Sequence, residues 1–254
     1  MPTESTASPP VVPYLGVDFD ARETAAILDL LTKRPATAPF SYVVTPNVDH
    51  VIRLHGHRRD DRLAAAYRQA ALRLCDSRVL ARIGRLNGVL LPVTPGSDLT
   101  AHILTEVVRP GDRIAVVGGD EEVRNALASR LPGVEIVQHM PPMGMRTNPV
   151  AMADAARFVA EAKARFAFLA VGSPQQEYLA AAIAERGDAT GVALCIGASI
   201  DFLTGRARRA PRWMQRAGLE WTHRLMSEPG RLWRRYLVDG PRIFLIAWRE
   251  RRAR

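Results

Sequence analysis

Short apolar runs alternate along this chain with longer stretches in which apolar residues recur at helical spacing. The short runs are typical of buried strands, and the longer, Ala-rich stretches are typical of helices. Because continuously apolar strands are buried on both faces, the pattern predicts an α/β fold: a doubly wound, mainly parallel sheet with helices on both faces. The predicted strands cover residues 41–45, 71–75, 113–118, 134–138, 166–172 and 191–197, and the predicted helices cover 61–70, 97–108, 121–131, 149–164 and 174–186.

The two ends of the chain differ from this α/β body in composition. Residues 1–13 are rich in Pro, Ser and Thr and are predicted to be disordered, residues 14–205 form the body, and residues 206–254 form a C-terminal appendage. The N-terminus lacks a basic segment followed by an apolar one, and no apolar run approaches about 18 residues, so neither an export signal nor a spanning helix is expected. The two cysteines, Cys75 and Cys195, lack metal-ligand spacing and are expected to be reduced in the cytoplasm.

The net charge of +9 is concentrated in the appendage. Residues 206–254 hold 14 arginines and no lysine against four acids, whereas the rest of the chain holds 21 bases and 22 acids. Composition alone leaves three interpretations: a solvated surface, a nucleic-acid contact, or a patch for anionic lipid and phosphate groups. Aromatic residues beside the cations favour a lipid headgroup boundary, although they also suit stacking on single-stranded bases. These aromatic residues are Trp213, Trp221, Trp233, Tyr236, Phe244 and Trp248.

Three loops that follow predicted strands contain polar residues. They hold TPNVDH at 45–50, Asp76, and GSPQQE at 172–177. Ligands bind at the carboxyl ends of parallel strands, but Asn47 and Asp76 would serve equally well as helix caps. Glycine and serine before a helix start suit an anion such as a nucleotide diphosphate. The turn VVGGDEE at 116–122 lacks the GxGxxG spacing, and no phosphate-loop, nucleophile-elbow or HExxH motif occurs.

Taken in order, the motifs resemble those of the WecG/TagA/CpsF family of bacterial glycosyltransferases, glycosyltransferase family 26. The most specific blocks are IGASIDFLTGRARRAPRW at 196–213 and GLEWTHRLMSEPGRLWRRY at 218–236, which join VVTPNVDHV at 43–51, PGSDL at 95–99 and VGSPQQE at 171–177. The sequence departs from the family pattern at three places. Ser77 and Arg78 follow Asp76 in place of glycine, Gln175 stands where lysine is usual, and Ala198 and Ser199 replace glycines.

The resemblance implies a Rossmann-like body whose C-terminal appendage closes over the site and meets the inner face of the cell membrane as a peripheral contact. It also implies transfer with inversion of a sugar, N-acetylmannosamine-type or a related hexose, from a UDP-sugar to a polyprenyl-diphosphate-linked sugar in surface polysaccharide biosynthesis. No metal, other cofactor or nucleic acid is expected, and an oligomer is compatible with the sequence. Two alternatives stay open, a catalytically inactive partner in a polysaccharide assembly and a nucleic-acid-binding α/β protein.

The same resemblance assigns roles to individual residues. Asp76 is the expected general base, ionised at neutral pH if its pKa is near the ordinary value of about 3.9. Thr45 and Asn47 would position the acceptor or the donor sugar, and Asp201 would lie near the uracil or ribose. Gly118, Ser173 and Gln176 would face the nucleotide. With no metal expected, arginines would offset the charge of the diphosphates; the candidates are Arg209, Arg212, Arg224, Arg231 and Arg234.

Overall fold

The protein is described here by a computed structural model that covers residues 10–55, 60–197, 199–206 and 209–253. Six parallel strands form one sheet in the order β4-β3-β8-β7-β5-β6, and β1 and β2 form a separate antiparallel hairpin. The predicted α/β class with a parallel sheet is therefore confirmed. The strands are β1 Val11–Tyr14, β2 Val17–Asp20, β3 Ser41–Val44, β4 Leu72–Arg73, β5 Arg113–Val117, β6 Glu135–His139, β7 Phe166–Leu169 and β8 Val192–Cys195.

Helices cover both faces of the sheet. Helix α5 continues into a π-helical turn, Ile103–Val107, and α12 into another, Arg234–Asp239; a 3-10 turn, Met145–Thr147, precedes α7. The helices are α1 Thr24–Lys33, α2 Val48–His55, α3 Asp61–Gln69, α4 Arg78–Leu86, α5 Gly96–His102, α6 Glu121–Arg130, α7 Pro149–Ala162, α8 Gln175–Arg186, α9 Ser199–Thr204, α10 Arg212–Arg216, α11 Glu220–Ser227, α12 Pro229–Trp233 and α13 Arg242–Ala253.

Strand β3 illustrates how the sheet separates two hydrophobic cores. Tyr42 and Val44 point into a core built with α2, α3, α4, α7, α8 and α13, whereas Val43 points into a core built with α1, α5, α6 and α9. Successive residues of a strand face opposite sides of its sheet, so a strand that is apolar at every position needs helices on both sides. This explains why continuous apolar runs identified the strands.

The N-terminal hairpin corrects the predicted boundary of the disordered N-terminus. Val11–Tyr14 form strand β1, which pairs with β2 around a two-residue turn at Leu15 and Gly16, both with positive φ. Such turns match the twist of a hairpin. Tyr14 and Leu15 are fully buried, and Arg73 of β4 donates a hydrogen bond of 2.6 Å to the carbonyl of Asp18. The hairpin therefore packs beside β4, at the edge of the sheet.

The C-terminal appendage is built into the core of the body. Ile243 and Ala247 of α13 are 1% and 3% exposed and pack with residues of α2 and α4. Asn87, just after α4, donates from Nδ2 to the carbonyl of Ala247 at 3.1 Å. Within the described residues, no helix is long and apolar enough to cross a membrane.

Candidate active site

The carboxyl ends of β3 and β4 bring Thr45 and Asp76 together around Gly96. The backbone N–H of Asp76 donates to the carbonyl of Pro46 at 3.0 Å, which ties the two loops together. The N–H of Gly96 donates to Oδ1 of Asp76 at 3.2 Å. A Cβ at position 96 would lie 3.0 Å from Oγ1 of Thr45, so a larger residue would have to displace the Thr45 side chain. The PGSDL motif is therefore the third part of the Asp76 site.

Asp76 is not a helix cap, although its position before α4 suited that alternative. The cap is Ser77, whose Oγ accepts the N–H of Leu80 at 3.1 Å. Ser77, one of the two residues that follow Asp76 where the family has glycine, is therefore the N-cap of α4. The partly buried carboxylate of Asp76 therefore accepts the N–H of Gly96 and does not cap α4.

Three side chains from the C-terminal quarter of the chain act on Asp76. Arg209 forms a short ion pair with Asp98, and its Nε lies 3.6 Å from Oε1 of Glu220. Arg209 and Arg224 both favour the ionised form of Asp76, whereas Glu220 opposes it. The appendage therefore supplies charged groups of both signs to the site.

The pKa of Asp76 corrects the expectation that this residue is fully ionised at neutral pH. Burial, and then the negative charge of Glu220, raise the pKa of Asp76 to about 7, against the lowering effects of the Gly96 N–H, Arg224 and Arg209. A carboxylate in this range is a stronger base than an ordinary aspartate and is still ionised in about half of the molecules at pH 7. The sequence could not reveal this, because Glu220 lies far from Asp76 along the chain.

Thr45 and Asn47 both take part in the local structure of their loop. Oγ1 of Thr45 is within 3.4 Å of the carbonyl of Cys195 and links β3 to β8. Oδ1 of Asn47 accepts the N–H of Asp49 at 3.0 Å at the start of α2, which supports the capping interpretation. His50 accepts the N–H of Asn47 at 3.1 Å, and burial, together with nearby arginines, lowers its pKa to about 3. His50 is therefore a neutral acceptor that fixes the TPN loop.

Gln176 and its neighbour Glu177 end the GSPQQE motif and lie in the first turn of α8. Nε2 of Gln176 donates to Glu177 at 2.9 Å, and its Oε1 accepts the N–H of Gly197 at 2.9 Å. Gln176 is 4% exposed, so a nucleotide contact through this side chain would require both bonds to break. Sequence reasoning missed Glu177, although it belongs to the same motif. Burial raises the pKa of Glu177, whereas hydrogen bonding from Gln176 and Ser173 lowers it.

Gly118 and Asp201 mark the other end of the carboxyl edge. Gly118 has φ +99, and a Cβ there would lie 2.9 Å from the carbonyl oxygen of Ala170, so the β5 loop packs directly on the β7 loop. Asp120 caps α6 and pairs with Arg206 at 2.5 Å. Burial, with the nearby Asp120, raises the pKa of Asp201, while Arg206 lowers it. These groups form a second polar cluster.

The remaining sequence-predicted positions are spread over the appendage. Arg212 begins α10 and is exposed, Arg231 pairs with Glu228 at 2.6 Å, and Arg234 is exposed after α12. Among the five candidate arginines, Arg224 and Arg209 lower the pKa of Asp76. Ser199 is buried at the start of α9. Ala198 lies outside the described residues.

No group of three or more His, Cys, Asp or Glu side chains able to hold a metal ion occurs in the described ranges. Independence from metal remains a prediction, because arginines and backbone N–H groups are an alternative means of binding a diphosphate.

Comparison with known protein families identifies the family of this chain. The family model for the glycosyl transferase WecG/TagA/CpsF family matches residues 12–254, which is nearly the whole chain. The match covers the loops around Asp76 and Gly118 as well as the appendage that carries Arg209 and Glu220. It supports glycosyl transfer in polysaccharide biosynthesis as the class of activity. The chain belongs to the WecG/TagA/CpsF family of glycosyltransferases.

Proposed function

We propose that this protein transfers a sugar, of the N-acetylmannosamine type or a related hexose, from a UDP-sugar to a polyprenyl-diphosphate-linked sugar, with inversion at the anomeric carbon. The observation that carries the proposal is the carboxylate of Asp76, partly buried and with its pKa raised to about 7, beside Arg209 and Arg224. A general base works best when its pKa is close to the working pH.

Asp76 accepts the proton of the acceptor hydroxyl as that oxygen forms its bond to the anomeric carbon. The bond between that carbon and the UDP oxygen breaks on the opposite face of the sugar, so the configuration inverts and UDP departs with both electrons. The proton ends on Asp76. The developing charge on the diphosphate is met by guanidinium groups and by the partial positive charge at the N-terminal end of α8.

The order of the strands supports an extended binding site. Asp76 follows β4 and Gly118 follows β5, and four strand-to-strand steps separate them. At about 4.8 Å a step, this is about 19 Å, which is enough for an extended nucleotide-sugar with an acceptor hydroxyl at one end. We assign the nucleotide to the end with Gly118 and Asp201, and the acceptor to the end with Asp76 and Thr45. Ser173 lies between them, beside the diphosphate.

We further propose that the appendage rests on the membrane surface, where a polyprenyl-linked acceptor is held. Phe244 and Trp248 of α13 are 60% and 48% exposed, next to a run of arginines. Deleting the appendage is a poor test, because it would uncover the core around Ile243 and Ala247. Phe244→Ser/Trp248→Ser should lower sedimentation with anionic vesicles while the fold is kept. Unchanged sedimentation would contradict this contact.

The activity itself is tested by UDP release from a panel of UDP-sugars, with and without a synthetic sugar-diphosphate-lipid acceptor and with EDTA present. We expect release from one donor that depends on the acceptor and persists in EDTA. Activity that EDTA abolishes would contradict the metal-independent mechanism. No release from any donor by folded protein would favour the inactive-partner interpretation.

A further inference from the structure

We propose that the body of the protein carries a binding site for the headgroups of anionic phospholipids, in a groove beside α4. The groove has a volume of about 570 Å³ and runs between α4 and the segment 90–93. Arg78, Arg82 and Arg85 line it from α4, and Arg216 lines it from α10. The proposal uses none of the residues assigned to glycosyl transfer and does not depend on that function.

The first reason is the spacing of the arginines along α4. Positions 78, 82 and 85 are separated by four and three residues, so their side chains share one face of the helix. That face points away from the buried side of α4, which is formed by Leu80, Ile83 and Gly84. Three cations on one face repel one another, so the arrangement favours an anionic partner.

The second reason is the balance of charge within the groove. Arg82 donates to the carbonyls of Ala217 and Arg216, at 2.6 and 3.1 Å, and so joins α4 to the appendage. Within the described residues, no acceptor is found for the guanidinium groups of Arg78, Arg85 and Arg216. Among the described residues that line the groove, Glu23 is the one acid. An excess of unpaired guanidinium groups is typical of a phosphate-binding site, because their planar donors match phosphate oxygens.

The third reason identifies the source of the phosphate. Leu86 and Leu90 are 77% and 71% exposed at the end of α4 and at the edge of the groove. Asn87 lies between them and donates a hydrogen bond to the carbonyl of Ala247 in α13, the helix that also carries the exposed Phe244 and Trp248. Cations beside exposed apolar side chains suit the boundary between headgroups and acyl chains. A soluble phosphate would leave the exposed leucines without a role.

The test compares two double variants that remove the same charge. Arg78→Gln/Arg85→Gln changes the groove, and the matched control Arg124→Gln/Arg130→Gln changes exposed arginines of α6, which follows β5 in another part of the sheet. Binding is measured by sedimentation with phosphatidylcholine vesicles containing phosphatidylglycerol. We expect the groove variant to lower the partition coefficient by about 10- to 30-fold, because each basic side chain at an anionic surface contributes about 1 kcal/mol, and the control to lower it much less. An equal loss in both variants, or no loss in the groove variant, would overturn the proposal.

A second pair of measurements separates lipid from soluble anion. Leu86→Ser/Leu90→Ser changes only exposed side chains, so the thermal unfolding midpoint should be kept. We expect this variant to bind the anionic vesicles more weakly than the wild type. We also expect inorganic diphosphate, at equal ionic strength, to displace only part of the wild-type protein from these vesicles. Vesicle binding that survives the leucine changes, and that diphosphate abolishes, would assign the groove to a soluble anion and overturn the lipid proposal.

Discussion

Glu220→Gln should move the acid limb of the pH–rate profile. This change keeps the size of the side chain and removes the negative charge that, after burial, contributes most to the raised pKa of Asp76. Two carboxylates in a partly hydrated site repel each other by an energy on the order of 1–2 kcal/mol, or about one unit of pKa. We therefore expect the pKa of Asp76 to fall from about 7 to about 6. Arg209, whose Nε lies 3.6 Å from Oε1 of Glu220, would then keep Asp98 as its acidic partner while it favours the ionised form of Asp76.

The size of the effect on rate follows from the ionised fraction of Asp76. At pH 6 that fraction rises from about one tenth to about one half, so kcat/KM for the acceptor should rise about 5-fold. Above pH 8 both proteins are fully ionised, and the variant should be equal or slightly slower, because its base is weaker.

The assay is acceptor-dependent UDP release between pH 5.5 and 9 at a saturating donor concentration. Glu228→Gln is the matched control, since Glu228 is another acid of the appendage but pairs with the exposed Arg231. Its acid limb should stay in place. If the limb of the Glu220 variant does not move, or moves to higher pH in a folded protein, the electrostatic account of the site is wrong.

Three stability predictions follow from the same contacts. Gln176→Leu removes the donor to the buried carboxylate of Glu177, so the free energy of unfolding in urea should fall by about 2–4 kcal/mol; an unchanged value would show that these bonds are not needed. Gly118→Ala should lower the free energy of unfolding by about 1–3 kcal/mol, which is more than Gly111→Ala, because Gly111 has a similar φ but open space around it. Equal losses in the two variants would exclude a clash between the new Cβ and the carbonyl of Ala170. Asp76→Asn should raise the free energy of unfolding by about 1–3 kcal/mol at pH 8 and leave it unchanged at pH 4. The reason is that folding raises the pKa of Asp76, so the stability of the wild type falls as the pH rises from about 4 to 7. Equal effects at both pH values would contradict the raised pKa.

The strands of the sheet could be predicted from the sequence because they are buried on both faces. Strand β5 begins at the predicted residue, Arg113, and ends at Val117, one residue before the predicted end. The hairpin was missed because β1 contains Pro13 and turns at Leu15, a residue with positive φ that is not glycine. A proline normally argues against a strand, and a leucine gives no signal for such a turn.

From the sequence alone, the position of a site residue could be predicted where a single motif contains it, but its pKa and its hydrogen-bond partners could not. The loop position of Asp76 is visible in the sequence, but the pKa of Asp76 depends on burial and on Glu220, which the fold brings in from the appendage. Gln176 belongs to a motif where a ligand contact is expected, yet its amide nitrogen bonds to Glu177 and its amide oxygen accepts the N–H of Gly197. A sequence gives the polarity of such a residue, whereas the partners of its side chain depend on packing between distant segments.

The central claim, that Asp76 takes the proton from the acceptor, is tested most directly by the acceptor-dependent turnover of Asp76→Asn at pH 8. Asp154→Asn, on the exposed surface of α7, is the control for loss of one carboxylate. We predict that turnover of the Asp76 variant falls by at least about 100-fold, with the fold and the membrane binding unchanged, while the control keeps its activity. Near-normal turnover of the Asp76 variant would contradict the account.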